Sequence, residues 1–468
     1  MSSTSLQDEP DHTQRATVCV FGSGPAGLTL ARELAAAGVD VLLVEAGDLD
    51  APDTVRYDHF DGTVLGDPYF PLSEARQRRF GGSTGRWGGV CRPMQPETFA
   101  LETVGGASGW PIAYEELAAH EDHASAILDV PGRYNDIPLG SSLYKLDFQV
   151  GPPTRLDHKF PPDSGPPRLR VALDTALVDL EPQNERIVSA TVVSGRSRRW
   201  RVEAEFFVLA MGGIENSRML MWINENVDRR LVPNHDLLGR YWMEHLHTIA
   251  AHGTFSRESR HLLGSSRAWF GFRAAGHSEP THVNFEYEHL DIDRRLRLRR
   301  STLRAVERVA PSLLESAARS RGKDPVAGSI FTTHSEQLPD PENRVTLSSQ
   351  LDDLGVPKPI LHWTRRDADR SLIVAEARRF VAAFESAGLG VAKPSSRVLD
   401  SDAPRCEPAG GQVFGTTWAA RGWQHPTKQG SSTKTFACLD SRTSSWRVRR
   451  YSPPATTPTQ RSPSCNSH

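Results

Sequence analysis

The sequence predicts an α/β protein in which a Rossmann-like domain is followed by a second, α+β domain built on a mostly antiparallel sheet. Two observations carry this prediction. Near the N-terminus, Val18 to Gly47 reads V-C-V-F-G-S-G-P-A-G-L-T-L-A-R-E-L-A-A-A-G-V-D-V-L-L-V-E-A-G, a strand, three spaced glycines, an alanine-rich helix, a second strand and a carboxylate. Between His247 and Gly390, alternating runs such as Thr281 to Tyr287 and Arg344 to Ser348 fit strands with one covered face. A chain of 468 residues has room for both cores.

The first stretch is a dinucleotide-binding βαβ unit. Gly22 permits the tight turn off the strand, Gly24 lets backbone approach a pyrophosphate, and Gly27 lets the helix pack closely on the sheet. Ser23, Pro25 and Ala26 complete the turn, and the helix is predicted over Ala26 to Ala37. Its N-terminus, with unpaired N–H groups and the positive end of the helix dipole, suits a diphosphate. Glu45, ending the second strand beside Ala46, is expected to accept hydrogen bonds from both ribose hydroxyls and to disfavour a 2′-phosphate.

Composition narrows the class. A net charge of -2 supplies no global field for nucleic acid or an anionic membrane. Met1 to Gln14 is polar and acidic, without the pattern of a signal peptide, and no apolar run approaches the length of a membrane span. These features lead to the expectation of a soluble, cytoplasmic protein with no membrane span and a disordered segment 1–14. The five cysteines, Cys19, Cys91, Cys406, Cys438 and Cys465, are scattered and lack C-x-x-C spacing, so neither a zinc site nor a disulfide framework is expected, and the metal prediction is none.

After a polar connection, Arg78 to Met94 reads R-R-F-G-G-S-T-G-R-W-G-G-V-C-R-P-M. So many glycines beside Arg and Ser/Thr imply backbone packed tightly against something, with donors for phosphate or flavin edges. Gly109 to Leu117, G-W-P-I-A-Y-E-E-L, is a Pro turn leading into a helix that runs towards Leu128. Arg366 to Ala387 is predicted as a helix whose apolar stripe is Leu372, Ala375, Ala377, Phe380 and Phe384. Arg294 to Arg308 is basic with helix-like spacing of Leu296, Leu303 and Val306; it suits a membrane surface or a partner, but a solvated helix face is the expectation.

Together these stretches resemble the glucose-methanol-choline (GMC) oxidoreductase family, FAD enzymes that oxidise alcohols, sugars and polyols. The likeness continues in Leu169 to Val178, in F-F-V-L-A-M-G-G-I-E-N-S-R-M-L at Phe206 to Leu220, in L-G-R-Y-W-M-E-H at Leu238 to His245, and in P-E-N-R-V-T-L-S at Pro341 to Ser348. The resemblance implies FAD as cofactor, a small-molecule alcohol or sugar as substrate, an electron acceptor the sequence does not identify, and no nucleic-acid partner. It implies cofactor contacts at Gly22, Ser23, Gly24, Pro25, Ala26, Gly27, Glu45, Ala46, Arg79, Gly81, Gly82, Ser83, Trp87, Gly88, Ala176, Leu177, Ala210 and Gly212. Some sugar-oxidising members carry a covalent flavin link on a histidine before the tryptophan of the glycine-rich loop. Arg86 stands there, so FAD is expected to be held non-covalently, with Arg86 either on a phosphate or in solvent. The implied domains are an FAD-binding domain over 15–245, a substrate-binding domain over 246–395, a return segment over 396–414 and an aberrant tail over 415–468.

The tail departs from the family. From Gly415 it is rich in Ser, Thr, Arg and Pro and has almost no aliphatic periodicity, so no packed core is expected of it. The family places there a histidine near H-H-x-G-G-T-R-M, a strand V-A-G-S-S-V-F-P and the asparagine of N-P-T, and none of them is in this chain. Codons permitted for Gly415 to Trp423, read two nucleotides on, give H-H-M-G-G-T-R-M. The same offset turns Ser445 to Pro453 into V-A-G-S-S-V-F-P and Thr457 to Ser467 into A-N-P-T-L-T-I-V-Q-L. The reading is a frameshift at or shortly before Gly415, leaving the catalytic residues unknown in the chain as written. His245, His247 and His362 are expected to be satisfied structural histidines.

Overall fold

The computed structural model describes residues 13–49, 61–272 apart from short gaps, 283–289, 329–399 and 438–440. Residues 1–12 of the expected disordered N-terminus 1–14, Arg86, the basic stretch Arg294 to Arg308, and 400–468 other than Cys438–Asp440 lie outside the described residues.

The fold is mixed α/β. Its first sheet starts from β1 (Thr13–Phe21), which leads through α1 (Pro25–Ala36) into β2 (Val41–Val44). Two further strands pair with these in parallel, β3 (Leu169–Ala172) on β2 and β6 (Arg198–Leu209) on β1. Strands β4 (Thr175–Gln183) and β5 (Arg186–Ser194) form an antiparallel meander with β6, giving the order β3-β2-β1-β6-β5-β4. Cys438–Asp440 pairs antiparallel with Phe206 to Val208 on β6. All four residues of β2 are buried, and Cys19, Val20, Leu42 and Leu43 are fully so, as a parallel strand covered on both faces requires. Helix α2 (Gly213–Asn226) follows β6.

The second sheet is antiparallel throughout. β7 (His245–Phe255) and β8 (Ser329–Glu336) are neighbours near one edge, with Gly390–Pro394 as the edge strand on the outer side of β7. Val283–His289, Arg267–Phe272, Leu143–Leu146 and Ile137–Gly140 continue the sheet beyond β8. Helix α3 (Asp367–Ser386) covers one face. There Phe255, Phe270, Phe331, Phe380 and Phe384 form one aromatic cluster, with Phe331 and Phe380 centroids 4.8 Å apart and Phe255 and Phe384 meeting edge-on at 4.9 Å. Each such buried ring contributes roughly 1.5–3 kcal/mol of burial.

Several boundaries differ from expectation. Thr13 and Gln14 belong to β1, where Gln14 is buried and accepts a hydrogen bond from Arg170 Nη1 at 2.8 Å. Leu169 to Val178 is two strands, because Asp174 takes a left-handed conformation (φ 46°) between them. The helix towards Leu128 breaks at His120 into Tyr114–Ala118 and Glu121–Leu128. On α3 the buried face is Asp369, Ile373, Ala377, Phe380, Ala383 and Phe384, while Ala375 is exposed and Leu372 half-buried. Ile373 takes the position assigned to Ala375, since i, i+4 steps from Asp369 and Ile373 define the stripe. Strands from distant parts of the sequence also share sheets. Ile137–Gly140 and Leu143–Leu146, inside 15–245, join the second sheet, and Thr63–Gly66 pairs in parallel with Pro357–Trp363.

Candidate functional site: two glycine turns and a histidine face

The first glycine turn matches its expected geometry. Gly22 has φ +96°, and a Cβ there would lie 2.6 Å from Ala210 O. At Gly27 a Cβ would lie 1.9 Å from Gly22 O and 3.0 Å from Ala210 Cβ. Gly24, by contrast, is the N-cap of α1, with no side-chain cap and no acidic residue in the first turn, and a Cβ there would meet nothing within 4 Å. Pro25 and Ala26 are exposed. The helix end is thus left open, uncapped and electropositive, which suits a diphosphate.

The second turn, Ala210 to Gly212, closes on the first. Ala210 N–H donates to Phe21 O at 2.8 Å, which lays the end of β6 beside the end of β1. Gly212 (φ +85°) is the N-cap of α2. Asn216 locks this turn, its Oδ1 accepting from Met211 N–H at 3.0 Å and its Nδ2 donating to Leu209 O at 3.1 Å. On the same helix, Glu215 and Arg218 belong to a buried ion network that also takes in Arg76 and Asp352. Arg218 also donates to Pro357 O and Val356 O, so α2 is tied to the small sheet behind it.

Glu45 is held by hydrogen bonds within the protein. Its Oε2 accepts from both Ser23 N–H at 2.8 Å and Ser23 O–H at 2.7 Å, and its Oε1 accepts from Gly47 N–H at 2.8 Å. A carboxylate has about four lone-pair sites. Three are used within the protein, by Ser23 N–H, Ser23 O–H and Gly47 N–H. Burial pushes its carboxyl above the ordinary value, against the opposing pull of the Ser23 and Gly47 hydrogen bonds and the Arg78 charge. Ala46, beside it, is half-buried against the core.

The loop Arg78 to Gly89 lies across the first turn. Gly81 N–H donates to Ser23 Oγ at 3.1 Å, and a Cβ on Gly82 (φ +55°) would approach Gly24 Cα at 2.8 Å. Ser83, Trp87 and Gly88 are half-buried on this loop, with Trp87 N–H donating to Ser83 O at 3.2 Å. Arg79 forms an ion pair with Asp157. Arg155 clamps the loop from outside by donating to Thr84 O and, at 3.0 Å, to Trp87 O. Sequence reading missed Arg155, Asp157 and Asn216. Only Asn216 left a signal, a polar side chain in the first turn after Gly212. Ala176 and Leu177 sit at the start of β4 with their side chains in the core shared with Phe21 and Val44.

A second polar cluster lies on the antiparallel sheet. His245 and His247 stand two apart on β7, and His334 pairs across to His247 from β8. Ring centroids are 4.7 Å apart for His245 and His247 and 4.1 Å for His247 and His334. Burial, together with His334, lowers His245 to about 4; burial, His334 and His245 lower His247 to about 2. His247 Nε2 is buried without a hydrogen-bond partner among the described residues, so the expectation of a satisfied histidine fails there. It holds for His362, whose Nε2 lies 2.9 Å from Thr346 Oγ1. Next to the stack, Glu244 accepts the Tyr69 hydroxyl hydrogen bond at 2.6 Å, and burial raises its carboxyl to about 7.

Fold and turn geometry define a dinucleotide-binding domain. The family described as FAD binding domain matches residues 15–57. FAD is accordingly the cofactor of this domain. A 2-methyl-1,2-propanediol dehydrogenase of Mycolicibacterium austroafricanum is 31% identical over 139 residues, covering 25% of this chain and 25% of the relative, so the match spans a quarter of that protein's length. Among solved structures, a pyridoxine 4-oxidase of Mesorbium loti aligns with a TM-score of 0.47 at 16% identity, covering 84% of this chain and 86% of the other. A formate oxidase of Aspergillus oryzae RIB40 aligns with a TM-score of 0.41 at 16% identity, covering 80% and 82%. Among the described residues, no helix is long and apolar enough to cross a membrane, and no group of three or more His, Cys, Asp or Glu side chains is placed to hold a metal ion.

Proposed function

We propose that the chain derives from an FAD-dependent oxidoreductase of the GMC type acting on the CH–OH group of an alcohol, sugar or polyol. The observation that carries this is the meeting of two glycine turns, Gly22 to Gly27 and Ala210 to Gly212, under the glycine-rich loop from Arg78. A nicotinamide enzyme using the same βαβ unit has no need of the second turn or of that loop. The partial likeness to a diol dehydrogenase supports the substrate class.

FAD, when bound, supplies a two-electron acceptor for hydride from the alcohol carbon. The protein's part is to orient the substrate, exclude water and remove the hydroxyl proton, since an alkoxide releases hydride far more readily than a neutral alcohol. In the GMC pattern a histidine takes that proton and an asparagine holds the substrate oxygen. Both belong to the motifs displaced from the present reading frame, and such residues act as a unit. The chain as written is therefore inactive, a nucleotide-binding product of a frameshifted gene. The sequence does not identify its electron acceptor.

Sequencing the gene around the Phe414 codon tests the frameshift, and an intact frame with no displaced H-H-M-G-G-T-R-M would refute it. Repairing the frame and screening alcohols and sugars with a dye acceptor tests the function. The repaired protein should turn over at least one of them while the present chain, loaded with FAD, is not bleached; a present chain bleached by an alcohol would overturn the account of the tail.

A further inference from the structure

Residues 155–160 lie between the glycine-rich loop and α1 and hold on to both. Leu156 is buried in the core that it shares with Phe80 of the loop and with Leu28 and Ala31 of α1. The Phe160 ring packs under the Arg32 guanidinium of α1, 4.3 Å from ring centroid to Cζ. Lys159 Nζ donates to Ala126 O at 2.7 Å and Ile127 O at 2.8 Å, near the carbonyl end of helix Glu121–Leu128, and pairs with Asp129 at 2.6 Å. These three side chains fix the segment in place. Arg155 and Asp157 grip the loop.

Their hold is on backbone and on charge. Arg155 Nη1 donates to Thr84 O and to Trp87 O, and Asp157, its side chain 6% exposed, pairs with Arg79. Such charge-assisted hydrogen bonds are about twice as strong as neutral ones. Leu156 N–H donates to Thr84 Oγ1 at 3.3 Å, and Thr84 Oγ1 donates to Gly81 O at 2.7 Å. The backbones are also close, since a Cβ on Gly81 (φ +83°) would lie 2.9 Å from Asp157 N. Gly81 N–H in turn donates to Ser23 Oγ, and Gly82 rests on Gly24. A continuous run of contacts thus leads from residues 155–157 through the loop to the first glycine turn. Gly82 stands over the backbone that a diphosphate has to approach at the open end of α1.

We propose that Arg155 and Asp157 are positioning residues that latch residues 79–85 onto the first glycine turn, so that release of this latch sets how fast FAD enters and leaves. The proposal rests on the reading that this turn receives the diphosphate of FAD. It goes beyond that reading by assigning cofactor exchange to two side chains that touch the loop rather than the turn.

The test compares the full chain with its Arg155→Ala, Asp157→Asn and Arg155→Lys variants. Hydrogen exchange of the FAD-free chain reads loop opening at the amides of Gly81 and Gly82, and urea denaturation reads global stability. Arg155→Ala and Asp157→Asn should each speed exchange there at least about tenfold. The urea midpoint should stay at the wild-type value, because Leu156 and Phe160 still hold the segment on α1. Stopped-flow flavin fluorescence then reads the two rates of FAD exchange. Association and dissociation should rise together, each at least about tenfold, leaving Kd within about threefold of wild type. Arg155→Lys, which keeps a charged donor for the carbonyls, should raise each rate by only about threefold.

A rise in dissociation alone would place the pair in the binding wall and overturn the latch, as would loop exchange and FAD rates at wild-type values in folded variants. A lowered urea midpoint that accounts for the faster exchange would make the two residues merely structural and overturn it as well. If Arg155→Ala does not fold by circular dichroism, Asp157→Asn, which keeps the shape of the side chain, carries the test. A wild-type chain that takes up no FAD removes the cofactor reading and the proposal with it, whereas FAD uptake with unaltered kinetics in the variants removes the latch alone.

Discussion

The nucleotide end and the substrate sheet solve the problem of making room in opposite ways. At the nucleotide end, side chains are dispensed with. Gly22, Gly27 and Gly82 let three backbone segments touch at distances no Cβ would allow, and Gly24 leaves open space at the uncapped end of α1. On the second sheet, side chains are stacked, with five phenylalanines sealing one face and three imidazoles on the other. The first arrangement is rigid and specific for a shape common to many dinucleotides. The second packs polar rings against each other on the face opposite the sealed aromatic layer.

The largest effects should come from breaking the buried contacts of each region. Gly27→Ala places a methyl 1.9 Å from Gly22 O. We expect it to cost about 3 kcal/mol or to prevent folding, as measured by urea denaturation. Gly24→Ala separates stability from binding, since its methyl meets no protein atom within 4 Å. Stability should change by no more than about 0.5 kcal/mol while FAD affinity drops about tenfold or more. Equal loss in both quantities would mean that Gly24 serves the fold rather than the ligand.

Arg218→Met leaves Glu215 and Asp352 as buried acids short of a partner, and such a change should cost about 3–5 kcal/mol in chemical denaturation. On the sheet, Phe380→Ala should cost about 3–5 kcal/mol, whereas Ala375→Ser on the exposed side of the same helix should stay within about 0.5 kcal/mol.

The smallest effect is a pH dependence particular to the histidine face. Folded His245 and His247 remain neutral down to about 4 and about 2, whereas unfolded imidazoles take protons near 6.5. Their contribution is complete above pH 6.5 and declines as pH falls. Glu244, raised to about 7 from 4.5, acts in reverse, stabilising fully below 4.5 and progressively less as pH rises through 7. Two protons oppose one, so the melting temperature should fall on going from about pH 7 to about pH 5, and His247→Gln should flatten that slope. A slope identical in the variant would show that the stack does not govern it.

How much of this was legible in the sequence depended on distance along the chain. The first glycine turn was readable because Gly22, Gly24 and Gly27 act within one turn and helix. The stripe on α3 was readable as a pattern but misphased at Ala375, since alanine's short side chain gives little signal for either face. Glu45 was found, yet its partners were not. Nothing local shows that Ser23 and Gly47 would consume three of its hydrogen-bonding sites. Arg155 left no trace because its acceptors, Thr84 and Trp87, lie 71 and 68 residues away. The histidine stack depends on the β7–β8 register between segments far apart in the chain, which no motif reports.

The central claim, that the βαβ unit holds the ADP half of FAD, is tested most directly by titrating the full chain with FAD and following quenching of flavin fluorescence, with ADP and NADP as competitors. The account predicts saturable one-to-one binding that ADP displaces and NADP does not, abolished in a folded Gly24→Ala variant or weakened at least about tenfold. Binding that ADP leaves untouched, or no saturable binding by a folded chain, would contradict it.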